Sequence, residues 1–180
     1  MFYAPVMGRR VRNWIGGLVV AYLILLGVGA LWAGRVPEHR GCPAGATLVQ
    51  VDSAARVLTL CRNGSEEASF RVALGRGGVD KRTEGDGRTP LGSYPLAPAR
   101  GSSRYHLFLP VGYPTKEQAK LGLTGSAIGV HGPHVGFFWL GPASAWPDWT
   151  LGCIAVPTRG SIEGIASWVA KNHVLEVSIL

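Results

Sequence analysis

The chain has 180 residues and a formal net charge of +7 at pH 7, and 47% of its residues are hydrophobic while 16% are charged. This length suits one ordinary domain, and the hydrophobic composition excludes a disordered chain. The 26 glycines and 12 prolines exclude a helical bundle and favour short strands and turns. Residues 47–180 carry 13 Lys/Arg and 10 Asp/Glu without a basic run, so we expect no nucleic acid partner.

The first predicted element is an apolar segment near the N-terminus. Residues 13–34 contain no charged side chain. As an α-helix this segment would span ~33 Å, which exceeds the ~30 Å hydrocarbon core of a membrane. Trp14 and Trp32 lie near its two ends, where aromatic residues favour the membrane interface. The segment therefore predicts a single transmembrane helix.

Basic residues before this segment predict its orientation. Arg9, Arg10 and Arg12 precede it, and basic residues favour the cytoplasmic side of a membrane. We therefore expect residues 1–34 to form a cytoplasmic N-terminus and an inner-membrane anchor, with the remaining chain in the periplasm. A cleaved signal peptide that ends at the small residues 28–30 is the alternative.

The next residues predict a linker and then a β-rich domain. Residues 35–46 contain Pro, Gly and charges of both signs without a period, which is typical of a short connection, and the domain is expected over residues 47–180. Three antiparallel strands are expected first, because apolar, β-branched or alternating runs are separated by turn residues. These runs are residues 48–51, residues 57–61, and an alternating run with Phe70, Val72 and Leu74.

Two short helices and a closing strand are predicted further along the chain. Thr115, followed by Gln118, forms a capping-box pattern that predicts the first helix. A second helix is expected after Ser161, because apolar residues then recur at the spacing of one helical face. These residues are Ile162, Ile165, Ala166 and Val169. Residues 174–180 predict the last strand.

Three cysteines in an exported domain leave at least one thiol unpaired. Cys42 and Cys61 both lie beside turn-forming residues, so they are candidates for a disulfide that spacing alone does not establish. Cys153 is then the remaining thiol. A buried, unreactive thiol is the simplest interpretation of a lone cysteine.

The surroundings of Cys153 favour a nucleophile instead. Gly152 predicts a turn before it and residues 154–156 predict a strand after it, so the backbone N–H groups of Gly152 and Cys153 could face an oxyanion. A thiol in this position needs a base to become a thiolate. His131, at the end of another apolar run, is the candidate base.

A zinc site is the competing interpretation, since His131, His134 and Cys153 are all zinc-ligand types. We discount it because residues three apart on a strand point to opposite faces and no fourth ligand stands nearby. We therefore expect no metal and no other cofactor. Trp149, four residues before the thiol, would either line a substrate cleft or pack in the core.

Two motifs carry a family resemblance. His131-Gly132 is followed, after a loop, by Thr150-Leu151-Gly152-Cys153. Upstream, Lys81 precedes Gly85-Asp86-Gly87-Arg88-Thr89-Pro90-Leu91-Gly92-Ser93-Tyr94, which is similar to a Gly-Asp-x-x-Thr-Pro-x-Gly-x-Tyr pattern. Both motifs resemble the L,D-transpeptidase catalytic domain family, the YkuD-like cysteine enzymes of the cell wall, over about residues 47–180.

The resemblance implies site residues and a fold. Cys153 would be the nucleophile, His131 its base, and the amides of Gly152 and Cys153 the oxyanion site. Further candidates for the substrate cleft are Gly132, His134, Trp149 and Thr150. The expected fold is mainly β, a sandwich of mixed sheets with two short helices, preceded by one transmembrane helix.

The resemblance also implies an activity. The enzyme would attack a peptidoglycan stem tetrapeptide through a cysteine thioester, release the terminal D-amino acid and pass the acyl group to an amine of a neighbouring stem, in wall cross-linking or remodelling. Carbapenems would then be covalent inhibitors. Two alternatives stay open: hydrolysis at the same Cys-His site, and a catalytically silent wall-binding module.

Overall fold

The computed structural model describes residues 35–180 together with Val20. The expected transmembrane helix falls on residues 13–34, which otherwise lie outside the described residues, so the anchor stays a prediction. Within the part of the chain that is described, no helix is long and apolar enough to cross a membrane.

A five-stranded mixed sheet forms one half of the domain. Its strands are β1 (Leu48–Asp52), β2 (Val57–Arg62), β3 (Ser65–Arg71), β4 (Gly92–Pro95) and β9 (Glu176–Ile179). Their order is β3-β2-β1-β9-β4, with β1 and β9 parallel and the other pairs antiparallel. The predicted antiparallel unit of three strands is confirmed, and so is the closing strand, as β9. The third strand lies earlier than expected, because β3 ends at Arg71 and leaves Val72 and Leu74 outside it. The position of β9 between β1 and β4 was not predicted, because no local pattern specifies a partner so distant in sequence.

A four-stranded sheet carries the candidate site. Its strands are β5 (Arg100–Ser102), β6 (His106–Pro110), β7 (Gly129–His131) and β8 (Ile154–Ala155), in that order. β7 and β8 are parallel, and Val130 pairs with Ile154 while His131 pairs with Ala155. This register places His131, the last residue of β7, beside Ala155, and leaves Cys153, just before β8, level with Gly129 at the start of β7.

Both predicted helices form, the first with the predicted cap and the second with an earlier one. In α1 (Lys116–Lys120), Thr115 and Gln118 form the predicted capping box. α2 (Arg159–Lys171) starts before the expected Ser161, because the Thr158 side chain accepts a hydrogen bond from the Ser161 N–H and caps the helix. The apolar face of α2 is buried as the spacing predicts, at Ile162, Ile165 and Val169.

One hydrophobic core joins both sheets and α2. Val49 and Leu58 from the first sheet, Leu109 and Val130 from the second, and Ile165 from α2 are all fully buried in it. Each such side chain contributes ~1.5–3 kcal/mol relative to exposure. The two strands that carry the candidate site are therefore anchored in the main core. A kinked 3-10 helix at Phe138–Ala145, which was not predicted, lies in the loop between them.

The residues expected to form a linker are fastened to the first sheet. A disulfide joins Cys42 to Cys61 of β2. The backbone N–H of Arg40 donates to the Asp52 carboxylate at 3.0 Å, and the Gln50 side chain donates to the Arg40 carbonyl at 2.9 Å. Part of the segment 35–46 is therefore held against β1 and β2.

Candidate active site

A glycine turn delivers Cys153 to the start of β8. Gly152 has φ +126°, and a Cβ at this position would lie 2.5 Å from the Arg88 carbonyl oxygen, so only glycine fits. The side chain of buried Thr150 then links the two ends of the turn. Its Oγ1 accepts a hydrogen bond from the Gly152 N–H at 3.1 Å and donates one to the Cys153 carbonyl at 2.7 Å.

This arrangement corrects one expectation. Because the Gly152 N–H is directed at Thr150 Oγ1, it is not available for an oxyanion in this conformation. The Cys153 amide stays the oxyanion candidate. Thr150, expected as a cleft residue, lines the cleft and also fixes the turn that carries the thiol.

His131 is buried at the end of β7 in a defined orientation. Its Nδ1 lies 2.7 Å from the Gly132 carbonyl oxygen. Because a carbonyl only accepts hydrogen bonds, Nδ1 carries the proton and Nε2 carries the lone pair. Tyr105 stacks on the imidazole with ring centres 4.0 Å apart, and Trp149 packs against it edge-on at 5.8 Å.

The protonation states of the two side chains suit a base and its thiol. Burial lowers the pKa of His131 to about 4, although the Gly132 carbonyl acts in the opposite direction, so the imidazole is neutral at pH 7. Burial raises the pKa of Cys153, and the Gly129 N–H and the positive charge of Lys81 only partly offset this effect. The thiol is therefore protonated at neutral pH and needs a base.

The structure brings His131 and Cys153 into one cleft. Because Val130 is opposite Ile154 in the parallel pair, Cys153 lies level with Gly129 and its side chain is on the same face as that of His131. Both side chains line a cleft of about 720 Å³. The Cys153 thiol donates to the Ala127 carbonyl at 3.3 Å in this state, so proton transfer to His131 requires the thiol to rotate.

The other expected cleft residues divide into two groups. Trp149 lines the cleft and is also anchored, because its Nε1 donates to the Ser144 carbonyl at 3.0 Å. Gly132 and His134 are not among the lining residues. Gly132 instead orients His131 through its carbonyl, and His134 accepts the Gly136 N–H at 3.1 Å within its own loop.

Sequence reasoning missed several contributors to the site. Tyr105, Ala127 and Gly129 touch or face the catalytic pair, but nothing in their local sequence distinguishes them from ordinary strand and loop residues. Lys81 was noted only as part of a motif, and the structure places it in the cleft. Within residues 35–180, no group of three His, Cys, Asp or Glu side chains is arranged to hold a metal ion.

The loop before the thiol is bonded to two segments of the chain, the turn between β1 and β2 and the residues that follow β3. The Asp148 carboxylate forms an ion pair with Arg56 at 2.8 Å and accepts the Leu74 N–H at 2.9 Å. Thr150 forms backbone hydrogen bonds with Leu74 and Arg76. The segment just before Cys153 is therefore attached to the chain between β1 and β2 and to the segment that follows β3.

Comparison with solved structures supports the fold. The helical cell shape determining protein Pgp2 of Campylobacter jejuni is 22% identical with a TM-score of 0.62, and Bd1075 of Bdellovibrio bacteriovorus is 22% identical with a TM-score of 0.54. Each alignment covers 82% of this chain and 52% of the other, so this chain spans about half the length of these neighbours. No curated protein matches the sequence.

A family model completes the comparison. The model of the L,D-transpeptidase catalytic domain, YkuD, matches residues 46–177. The match includes both motifs noted in the sequence and every residue of the cleft described above. The chain therefore belongs to the L,D-transpeptidase catalytic domain family.

Proposed function

We propose that this domain is a peptidoglycan L,D-transpeptidase that works through a thioester on Cys153. The observation that carries the proposal is a cleft shared by a protonated thiol and a neutral imidazole. Among the described residues, none forms a hydrogen bond with Nε2 of this imidazole. Family membership supplies the substrate class, the stem peptides of the cell wall. Since Pgp2 is described as a cell shape determining protein, the proposal includes wall remodelling as well as cross-linking.

Acylation begins with the thiol proton. His131 Nε2 accepts it, and the Cys153 sulfur attacks the carbonyl of the bond between the L-centre and the terminal D-amino acid. The carbonyl electrons move to oxygen, and the Cys153 amide is the donor we assign to that oxyanion. When the tetrahedral intermediate collapses, the C–N bond breaks and the imidazolium returns its proton to the leaving amine.

Deacylation uses the same groups in reverse order. An amine of a neighbouring stem attacks the thioester carbonyl while His131 accepts its proton, and the C–S bond breaks as the thiol is restored. Water in place of the amine would give hydrolysis by the same steps. Transfer and hydrolysis therefore differ only in the acceptor, and the products distinguish them.

Muropeptide analysis tests the proposal. The purified domain is incubated with tetrapeptide muropeptides and the products are identified by mass. Dimers that have lost one terminal D-amino acid are expected. Shortened monomers without dimers would replace transfer with hydrolysis. No product, together with no labelling of Cys153 by a thiol reagent, would favour the silent wall-binding module and contradict the proposal.

Carbapenem acylation provides a second readout. We expect a carbapenem to add to Cys153 and raise the intact mass of the protein by that of the inhibitor. The Cys153→Ala variant should show no adduct. An adduct mapped to another residue would refute the assignment of the nucleophile.

The location of the enzyme is part of the proposal. The uncharged segment 13–34 supports a single membrane anchor, with the catalytic domain in the periplasm, where peptidoglycan lies. The disulfide between Cys42 and Cys61 supports an oxidising compartment as well.

A further inference from the structure

A buried lysine lies in the same cleft as the catalytic pair. Lys81 lines the cleft that contains Cys153, yet only 4% of its surface is exposed. Lysine is rarely buried to this extent unless its charge is paired, because desolvating an ammonium group is unfavourable. The catalytic steps proposed above do not use this residue.

The ammonium group is held by a carboxylate that has many other donors. Lys81 Nζ donates to Asp86 Oδ1 at 2.8 Å and to the Thr83 carbonyl at 3.1 Å. The same carboxylate accepts the backbone N–H groups of Arg82, Thr83 and Arg88. Although burial opposes its ionisation, these donors hold the pKa of Asp86 well below its usual range. The ion pair is therefore fixed by the loop around it.

One donor of the lysine is left over. An ammonium group has three N–H bonds, and two of them are used in the contacts to Asp86 and Thr83. Among the residues that the structure describes, no acceptor takes the third N–H. Since Lys81 lines the same cleft as Cys153, we take this N–H as the donor for a molecule bound there.

The surrounding chain is shaped around the lysine stem. Gly125 has φ +148°, and a Cβ there would lie 2.6 Å from Lys81 Cε, so the glycine leaves room for the stem. The Tyr113 hydroxyl donates to the Lys81 carbonyl at 2.9 Å and fixes its backbone. The position of the ammonium group is thus set before any ligand binds, which reduces the entropy lost on binding.

The charges of the cleft favour an anionic ligand. Its lining contains three basic residues, Lys81, Arg100 and Arg104, and one acidic residue, Glu84. Of the basic residues, Lys81 is the buried one, and its charge reaches the thiol, since it acts to lower the pKa of Cys153. A fixed cation in a partly desolvated cleft is a specific site for a carboxylate.

We propose that Lys81 binds the α-carboxylate of the terminal D-amino acid that leaves during acylation. This inference rests on the proposed function for the identity of the peptide. The α-carboxylate lies one carbon from the nitrogen of the scissile bond, so a cation in the same cleft as the nucleophile is suitably placed to receive it. A stem with one more residue presents a neutral amide at that point. Lys81 thereby selects stems in which the attacked bond is the last one.

A matched pair of thiol reagents tests carboxylate recognition without any peptide. Iodoacetate and iodoacetamide alkylate the same thiolate and differ in carrying a carboxylate or a carboxamide. The ratio of their rates on Cys153 is therefore independent of the thiol pKa. In the Lys81→Met variant we expect this ratio to fall about tenfold, the effect of losing one charge-assisted hydrogen bond.

Lys120→Met is the matched control, because it makes the same substitution at an exposed lysine of α1 that does not line the cleft. Its ratio should stay close to that of the wild type. An unchanged ratio in Lys81→Met would overturn the proposal, even if both reagents react more slowly, since Lys81 would then affect only thiol ionisation. Equal falls of the rate ratio in both variants would also overturn the proposal, because they would indicate a general electrostatic effect rather than a specific carboxylate-binding site.

A second measurement uses only the wild-type protein, so it does not depend on whether a variant folds. The wild type is given a stem tetrapeptide and the same peptide with a C-terminal amide, and we expect kcat/KM to be at least about tenfold lower for the amide. Equal values would refute the role of the carboxylate. If the wild type consumes neither peptide, the proposed function fails, while the reagent ratio still decides the role of Lys81.

Discussion

The substitution Thr150→Val tests how the thiol is held in place. Valine has nearly the shape of threonine, so the change removes the hydroxyl and little else. The Gly152 N–H then loses its acceptor at 3.1 Å, and the Cys153 carbonyl loses its donor at 2.7 Å. Because Thr150 is 3% exposed, water does not readily replace the hydroxyl.

The two lost hydrogen bonds set the magnitude. A buried polar group left without its partner costs about 1–3 kcal/mol, so two such groups near a partly exposed turn predict a loss of about 2–4 kcal/mol in the free energy of unfolding. For a domain of this size, that loss corresponds to a Tm lower by about 6–12 °C. We also expect carbapenem acylation of Cys153 to slow by at least about tenfold, because the turn no longer holds the thiol in one position.

Calorimetry and intact-mass kinetics measure the two effects. Thr150→Ser is the matched control, since it keeps the hydroxyl and removes only a methyl group. Its unfolding free energy should fall by about 1 kcal/mol or less and its acylation rate should stay near that of the wild type. If Thr150→Val has the stability and acylation rate of Thr150→Ser, the hydroxyl does not hold the turn and the reasoning is wrong.

Five other predictions concern the site and the chain. Cys153→Ala should lose all turnover in an activity assay, and residual turnover would contradict the nucleophile assignment. Its free energy of unfolding, measured by calorimetry, should fall by no more than about 2 kcal/mol, and it should still bind wall fragments in a pull-down. His131→Ala should lose turnover at pH 7 and recover thiol alkylation in part at high pH, where Cys153 ionises without a base. The pKa of His131 is lowered to about 4, so protonation favours the unfolded state at acidic pH. The free energy of unfolding of the wild type should therefore fall by roughly 3 kcal/mol as the pH drops from about 6.5 towards 4. Unfolding measured across this pH range should show the decrease in the wild type and not in His131→Ala. Non-reducing peptide mapping should find Cys42 joined to Cys61. Cell fractionation should find the intact chain in the membrane, whereas a soluble chain starting near residue 31 would identify a cleaved signal peptide instead.

Local sequence patterns were sufficient for the elements whose interactions are local. The capping box of Thr115 and Gln118 involves residues three apart, and the apolar face of α2 repeats within one helix, so the sequence predicts both. The first three strands are joined by short turns that the sequence marks. The sequence also proposes Cys153 and His131 as nucleophile and base, because a thiol nucleophile requires a nearby base and because both residues lie in motifs of one family.

Contacts between distant residues required the tertiary structure. The parallel pairing of β7 with β8 puts His131 and Cys153 on one face of the same sheet. The Gly152 N–H is directed at Thr150, and the carboxylate of Asp86 pairs with Lys81, which lines the same cleft as the thiol. None of these arrangements repeats along the chain, since each depends on how separate segments pack on one core, and packing of that kind leaves no periodic pattern in the sequence.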